Sequence, residues 1–189
     1  MTQVHRLFFA VQPGANAAAV AIGLARGLAA EHGLTGKPIP AERLHVTLHW
    51  LRDHPSVPPE LVAGARVAAG CVDMAPFDVV FDRVESLGNA SHGGPLVLAG
   101  AAALAALRQF QRALAAAMTD AGIGGYVRSS FRPHVTLLYD DKYVAPHPIP
   151  PIGWAVNELV LVHSVVGKSR HIVLGRWPLQ SRQMDFGDW

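Results

Sequence analysis

Along this chain, stretches in which apolar residues crowd together or alternate give way to stretches in which they recur every three or four positions. Strands and helices are therefore expected in alternation from end to end. Val4 to Val11 is a β-branched and aromatic run closed by Pro13-Gly14, which predicts a strand. Asn16 can cap a helix carrying Val20, Leu24 and Leu28 on one face, and Gly33 stops it. A turn from Gly36 to Pro40 leads into a second strand, Leu44 to Leu51. Ser56, two prolines and Glu60 open a helix that ends near Gly70. Phe77, Val79 and Phe81 alternate with Asp78 and Asp82 as a half-buried strand should, and Pro95 to Ala99 is a short strand after turn-like Gly88 to Gly94. Leu104, Leu107, Leu114 and Met118 share a helical face up to Gly122. Val135 to Tyr139 predicts another strand, followed by a proline-rich loop to Pro151. Val156 to Val166 and His171 to Trp177 form a final hairpin around Gly167-Lys168-Ser169-Arg170.

Two of these strands carry the same four residues. Leu44-His45-Val46-Thr47-Leu48 is matched, nearly half the chain later, by Pro133-His134-Val135-Thr136-Leu137. Side chains two apart on a strand share a face, ~6.5–7 Å apart along it, so each motif aims an imidazole and a hydroxyl the same way. If the chain is internally duplicated, the four groups converge near a pseudo-twofold axis. Two hydroxyls and two imidazoles around one point suit a tetrahedral phosphate. The hydroxyls donate to its oxygens. One imidazole takes a proton from water while the other gives one to the leaving oxygen, since histidine titrates near neutrality. His45 and His49 imitate a zinc-helix spacing, but the Val-Thr-Leu between them favours a strand and no Glu follows His45, so no metal and no cofactor is expected.

Composition narrows the setting. The 189 residues are half hydrophobic and 16% charged, which excludes a chain dominated by disorder and suits one compact domain over residues 1–189, or two lobes sharing a core. Sixteen Lys and Arg against fourteen Asp and Glu leave +2, no polybasic coat for nucleic acid. Apolar stretches are short and alanine-rich, the start shows no signal-peptide pattern, and the single Cys71 fits a reducing compartment. The expectation is a cytoplasmic monomer without membrane contact. Histidine, ten times present, is the unusual entry in the composition.

On these residues the chain resembles the two-histidine (2H) phosphoesterases, and among them the RNA 2′,3′-cyclic phosphodiesterases also called 2′-5′ RNA ligases. The resemblance runs from Arg6-Leu7-Phe8-Phe9-Ala10-Val11 through both His-Val-Thr-Leu motifs to Leu161-Val162-His163-Ser164 and Arg176-Trp177-Pro178-Leu179. It implies a bilobal, pseudo-symmetric α+β fold: two antiparallel sheets backed by helices around a central cleft. It also implies metal-independent opening of RNA or nucleotide 2′,3′-cyclic phosphate ends to 2′-phosphomonoesters, with 2′-5′ ligation as the reverse reaction. Carried over by motif, His45 and His134 are the catalytic pair, with His134 as base and His45 as acid, an order that a symmetric site hardly distinguishes. Thr47 and Thr136 hold the phosphate. Phe9 is either a wall for the terminal base or plain core, the latter slightly favoured.

The chain departs from the family pattern in three places. Where the family commonly has a phosphate-binding arginine, this chain has Tyr139, a neutral single donor; Arg132, Lys168 or Arg170 can replace the cation, or each is ordinary surface charge. Where the closing strand often carries a tyrosine stands His171. His49, two beyond Thr47, is expected on the same face, extending the cleft's polar lining or sitting at its solvent edge. Two other readings remain at this stage: a phosphodiesterase for another nucleotide, 2′-5′ linked or small and cyclic, and a non-catalytic RNA-end binding module.

Overall fold

The structure, a computed structural model, describes residues 3–89, 91–100, 104–168 and 170–180; Ser169 in the expected final turn lies outside them. Its elements are β1 (His5–Val11), α1 (Ala15–His32), β2 (Val46–His54), α2 (Pro59–Cys71), β3 (Phe77–Ser86) and β4 (Gly94–Ala99). There follow α3 (Ala105–Asp120), β5 (Val135–Asp140), β6 (His147–Val156), β7 (Glu158–Val165) and β8 (Arg170–Pro178). The strands form two antiparallel four-stranded sheets, ordered β2-β1-β7-β8 and β5-β4-β3-β6. This is the expected α+β architecture, with each His-Val-Thr-Leu motif on an outer strand of its own sheet.

The helices bind the two sheets together. α1 comes early in the chain yet packs on β5 and β6 of the second sheet, while α2 covers β7 and β8 of the first. α3 lies against α2 and reaches both β2 and β3. The apolar faces beneath them merge into one core that includes Phe9, Phe81, Phe110 and Leu161. A smaller apolar cluster of Phe8, Ala10, Val160 and Val162 lies on the opposite face of the first sheet. No described helix is long and apolar enough to cross a membrane.

Three local expectations change. α1 buries Ala17, Ala18, Ala21, Ala25 and Leu28, whereas Val20 is 57% exposed. Small alanines let the helix approach the sheet closely, so the larger apolar residue was a poor guide to the buried face. Gly14, not Asn16, occupies the N-cap, and Gly33 ends the helix in the left-handed region at φ 61°. The proline-rich stretch expected as a loop contains β6, with Pro148, Pro150 and Pro151 in it. β6 is a sheet edge, and its pairing with β3 slips between Ile152 and Pro148, two settings in which a strand can lack ladder donors. Val156 accordingly closes β6, and β7 starts at Glu158.

Candidate active site

His45 and His134 each stand one residue before a strand, and the backbone there treats them alike. Nδ1 of His45 donates to the carbonyl oxygen of Arg43 at 2.6 Å; Nδ1 of His134 donates to that of Arg132 at 2.8 Å. A carbonyl only accepts, so each neutral ring carries its proton on Nδ1 and leaves Nε2 free to exchange one. Both rings, with Thr47 and Thr136, line one cleft of about 460 Å³, and β2 and β5 approach each other there.

A matching irregularity follows each threonine. Pairing of β1 with β2 slips between Phe9–His49 and Ala10–Thr47, and pairing of β4 with β5 slips between Leu96–Leu138 and Val97–Thr136. Each slip is a bulge that places two successive residues on the buried side: Leu48 and His49 in one strand, Leu137 and Leu138 in the other. The next residue to face the cleft is then three beyond the threonine, not two. Those residues are Trp50 and Tyr139, 38% and 63% exposed, and both line the cleft.

The bulge relocates His49. It is 1% exposed, and its Nε2 donates to the carbonyl of Gln111 on α3 at 3.0 Å. Burial holds its pKa below the ordinary imidazole value, with the Gln111 carbonyl opposing. It belongs neither to the cleft lining nor to a solvent edge. Phe9 is fully buried in the main core; the ring at the cleft is its neighbour Phe8, stacked on His45 with centroids 4.8 Å apart. His171 lines the same wall, edge-on to both Phe8 and His45 at 5.5 and 5.4 Å.

Electrostatics separates the ionisable groups. Burial pushes His45 below the ordinary imidazole value, the Arg43 carbonyl opposes, and nearby His134 and Arg43 lower it further. His171 is pushed down to about 4 by burial, then by His45 and Arg43, so it is a neutral ring at neutral pH. Among the described residues, two arginines line the cleft. Arg6 is tied by a bidentate pair to Asp53 at 2.7 and 2.8 Å. Arg43 is in no ion pair among the described residues, and its buried Nε has no hydrogen-bond partner there. The cations expected from sequence stand elsewhere. Arg132 pairs with Glu85 at 2.6 Å beside a separate small pocket, and Lys168 and Arg170 are exposed around the β7–β8 turn, off the cleft. Phe8, Arg43, Trp50 and Ser164 are cleft residues that sequence reasoning did not single out.

The family model described as the 2′-5′ RNA ligase superfamily matches residues 15–168. The chain belongs to that superfamily. The superfamily is one of 2H phosphoesterases, and the fold agrees with that membership. LigT of E. coli, in apo form, is 25% identical, covers 95% of this chain and 99% of its own, and superposes with a TM-score of 0.75. A structure described as a phosphoesterase is 26% identical, with 94% and 99% covered and a TM-score of 0.72. E. coli LigT complexed with 3′-AMP is 25% identical over 94% of this chain and 98% of that one, TM-score 0.66. No curated protein matches the chain by sequence.

Proposed function

We propose that this member of the superfamily hydrolyses 2′,3′-cyclic phosphate ends of RNA or nucleotides to 2′-phosphomonoesters, with two histidines as its acid and base. The observation that carries this reading is the duplicated arrangement: two imidazoles, each with Nδ1 tied to the carbonyl two residues back, beside two threonine hydroxyls in one cleft. The complex of E. coli LigT with 3′-AMP supports a nucleotide as the occupant.

In this mechanism the hydroxyls of Thr47 and Thr136 donate to the non-bridging oxygens of the cyclic phosphate. Nε2 of His134 takes a proton from water as the water oxygen bonds to phosphorus. The bond from phosphorus to the 3′ oxygen breaks, and Nε2 of His45 gives that oxygen its proton. The 2′-phosphate remains, and the histidines exchange their protons with solvent before the next turnover. Burial works against a protonated His45 in the free cleft. A phosphodiester brings a negative charge beside the ring and favours the imidazolium, so the substrate charges its own acid. His171 offers a neutral, partly exposed ring to the terminal base, as single-stranded RNA recognition commonly requires, and the buried Phe8 backs both it and His45.

Incubation with 2′,3′-cyclic AMP in the presence of EDTA, with products resolved by phosphorus NMR, tests the proposal. Accumulation of 2′-AMP is expected. No turnover, release of 3′-AMP, or activity that returns only with an added divalent cation would sink it.

A further inference from the structure

We propose that Arg43 is the phosphate-binding cation of the cleft, meeting the charge that Tyr139 cannot. The inference rests on the reading of the cleft as a phosphodiester site and names a residue that the His-Val-Thr-Leu motifs do not contain.

Three observations converge on it. No carboxylate lines the cleft among the described residues, so a cation there finds a protein counter-ion only by reaching a carboxylate outside it. Of the two arginines that do line it, Arg6 is held by both oxygens of Asp53, while Arg43 is in no ion pair among the described residues. The Nε of Arg43 is buried with no acceptor among them. The terminal nitrogens of Arg43 likewise have no protein acceptor among the described residues, so the whole guanidinium is unpaired, and a ligand oxyanion in the cleft supplies the acceptor the group lacks.

Position strengthens the case. Arg43 closes a single helical turn, Ala41–Arg43, fixed by backbone bonds from Arg43 to Pro40 and from Leu44 to Ala41. Its own carbonyl orients His45. One residue therefore sets the ring of the acid through its backbone and presents a guanidinium to the same cleft through its side chain. The planar fork of that group matches two oxygens of a tetrahedral phosphate, where the phenol of Tyr139, 63% exposed at the rim, offers one neutral donor.

Calorimetric titration of the intact chain with inorganic phosphate, 2′-AMP and uncharged adenosine tests this in wild type, Arg43→Gln and Arg43→Lys. Arg43→Gln should weaken phosphate and 2′-AMP by roughly tenfold to a hundredfold, the scale of a hydrogen bond to a charged group. Adenosine should be unchanged, and Arg43→Lys should fall between, as a charge without the fork. Equal phosphate affinity in wild type and Arg43→Gln, or an equal loss for adenosine, overturns the proposal. Where Arg43→Gln does not fold, NMR of arginine Nε–H groups in the wild type decides. An Nε–H signal that phosphate shifts, and that is missing from Arg43→Lys, supports Arg43; phosphate shifting none overturns it. A wild type that binds phosphate through Arg43 but opens no cyclic phosphate refutes the proposed reaction and leaves this inference standing.

Discussion

His45 and Arg43 are joined through a 2.6 Å hydrogen bond from the imidazole Nδ1 to the Arg43 carbonyl, and His134 repeats it on Arg132 at 2.8 Å. The bond fixes both the plane of each ring and the nitrogen that remains for chemistry. An asparagine amide can imitate the Nδ1 side of the ring but has nothing at the place of Nε2. His45→Asn and His134→Asn should therefore keep melting temperatures close to wild type while kcat/KM on 2′,3′-cyclic AMP drops ~10²–10⁴-fold. Turnover near wild type in either variant would rule out a two-histidine mechanism.

Phe8 and Phe9 divide support of the site from support of the core. Phe9 is fully buried in the main core, so Phe9→Ala should cost about 3–5 kcal/mol in denaturant unfolding. Phe8 touches His45 and His171 at the cleft, and Phe8→Leu keeps apolar bulk while removing the ring. Because Phe8 is buried behind these two rings, its loss should loosen His45 and lower kcat/KM for the cyclic nucleotide about tenfold, short of the roughly hundredfold that a full misplacement can cost. An unaltered kcat/KM in Phe8→Leu would show that the His45 ring does not depend on this support.

That pair also marks how far the sequence could be read. Every described strand but β6, the three helices and both motifs stood out because their periodicity is strong; the prolines of β6 disguised it as a loop, and the resemblance supplied the two-sheet fold. The face of Phe8 and Phe9 did not stand out, because Leu7 to Val11 is buried on both sides of β1 and carries no polar alternation. His49 was misplaced for a different reason. A strand alternates faces only while its register is regular, and a bulge at Leu48 turns the next residue inward without any glycine or proline to announce it. Arg43 was missed because nothing in its local sequence says that its side chain lacks a carboxylate. That is a property of which residues the fold brings to the cleft.

The buried His49 should make folding stability acid-sensitive. Its pKa is lowered in the folded protein, so the unfolded chain takes the proton first as pH falls through the ordinary imidazole value of about 6.5. The contribution of the neutral ring is whole above that value and is lost progressively below it, toward the lowered folded pKa. His49→Gln can still donate to the Gln111 carbonyl and does not titrate. Between about pH 7 and pH 5 its melting temperature should fall less steeply than that of the wild type. His45, His163 and His171 are lowered too, but they are present in both proteins, so the difference between the curves isolates His49. Parallel curves would show that this ring is not held neutral.

Which histidine is the acid can be decided from the direction of a residual pH profile. In the wild type the two limbs of a bell-shaped curve belong to the coupled pair and cannot be divided between residues by inspection. Removing one partner lifts that ambiguity. In His134→Gln only His45 remains to titrate as a catalytic group, and the reaction still runs slowly with water attacking unaided. If His45 is the acid, the residual kcat/KM needs its protonated form and must fall as pH rises. Because burial lowers His45 in the free cleft, the fall should begin below the ordinary imidazole value of about 6.5. The residual kcat reports the substrate complex, where the phosphodiester charge favours the imidazolium, so its fall should lie at higher pH than that of kcat/KM. A residual kcat/KM that rises with pH instead would make His45 the base and exchange the two roles, while leaving the cleft and the reaction as described.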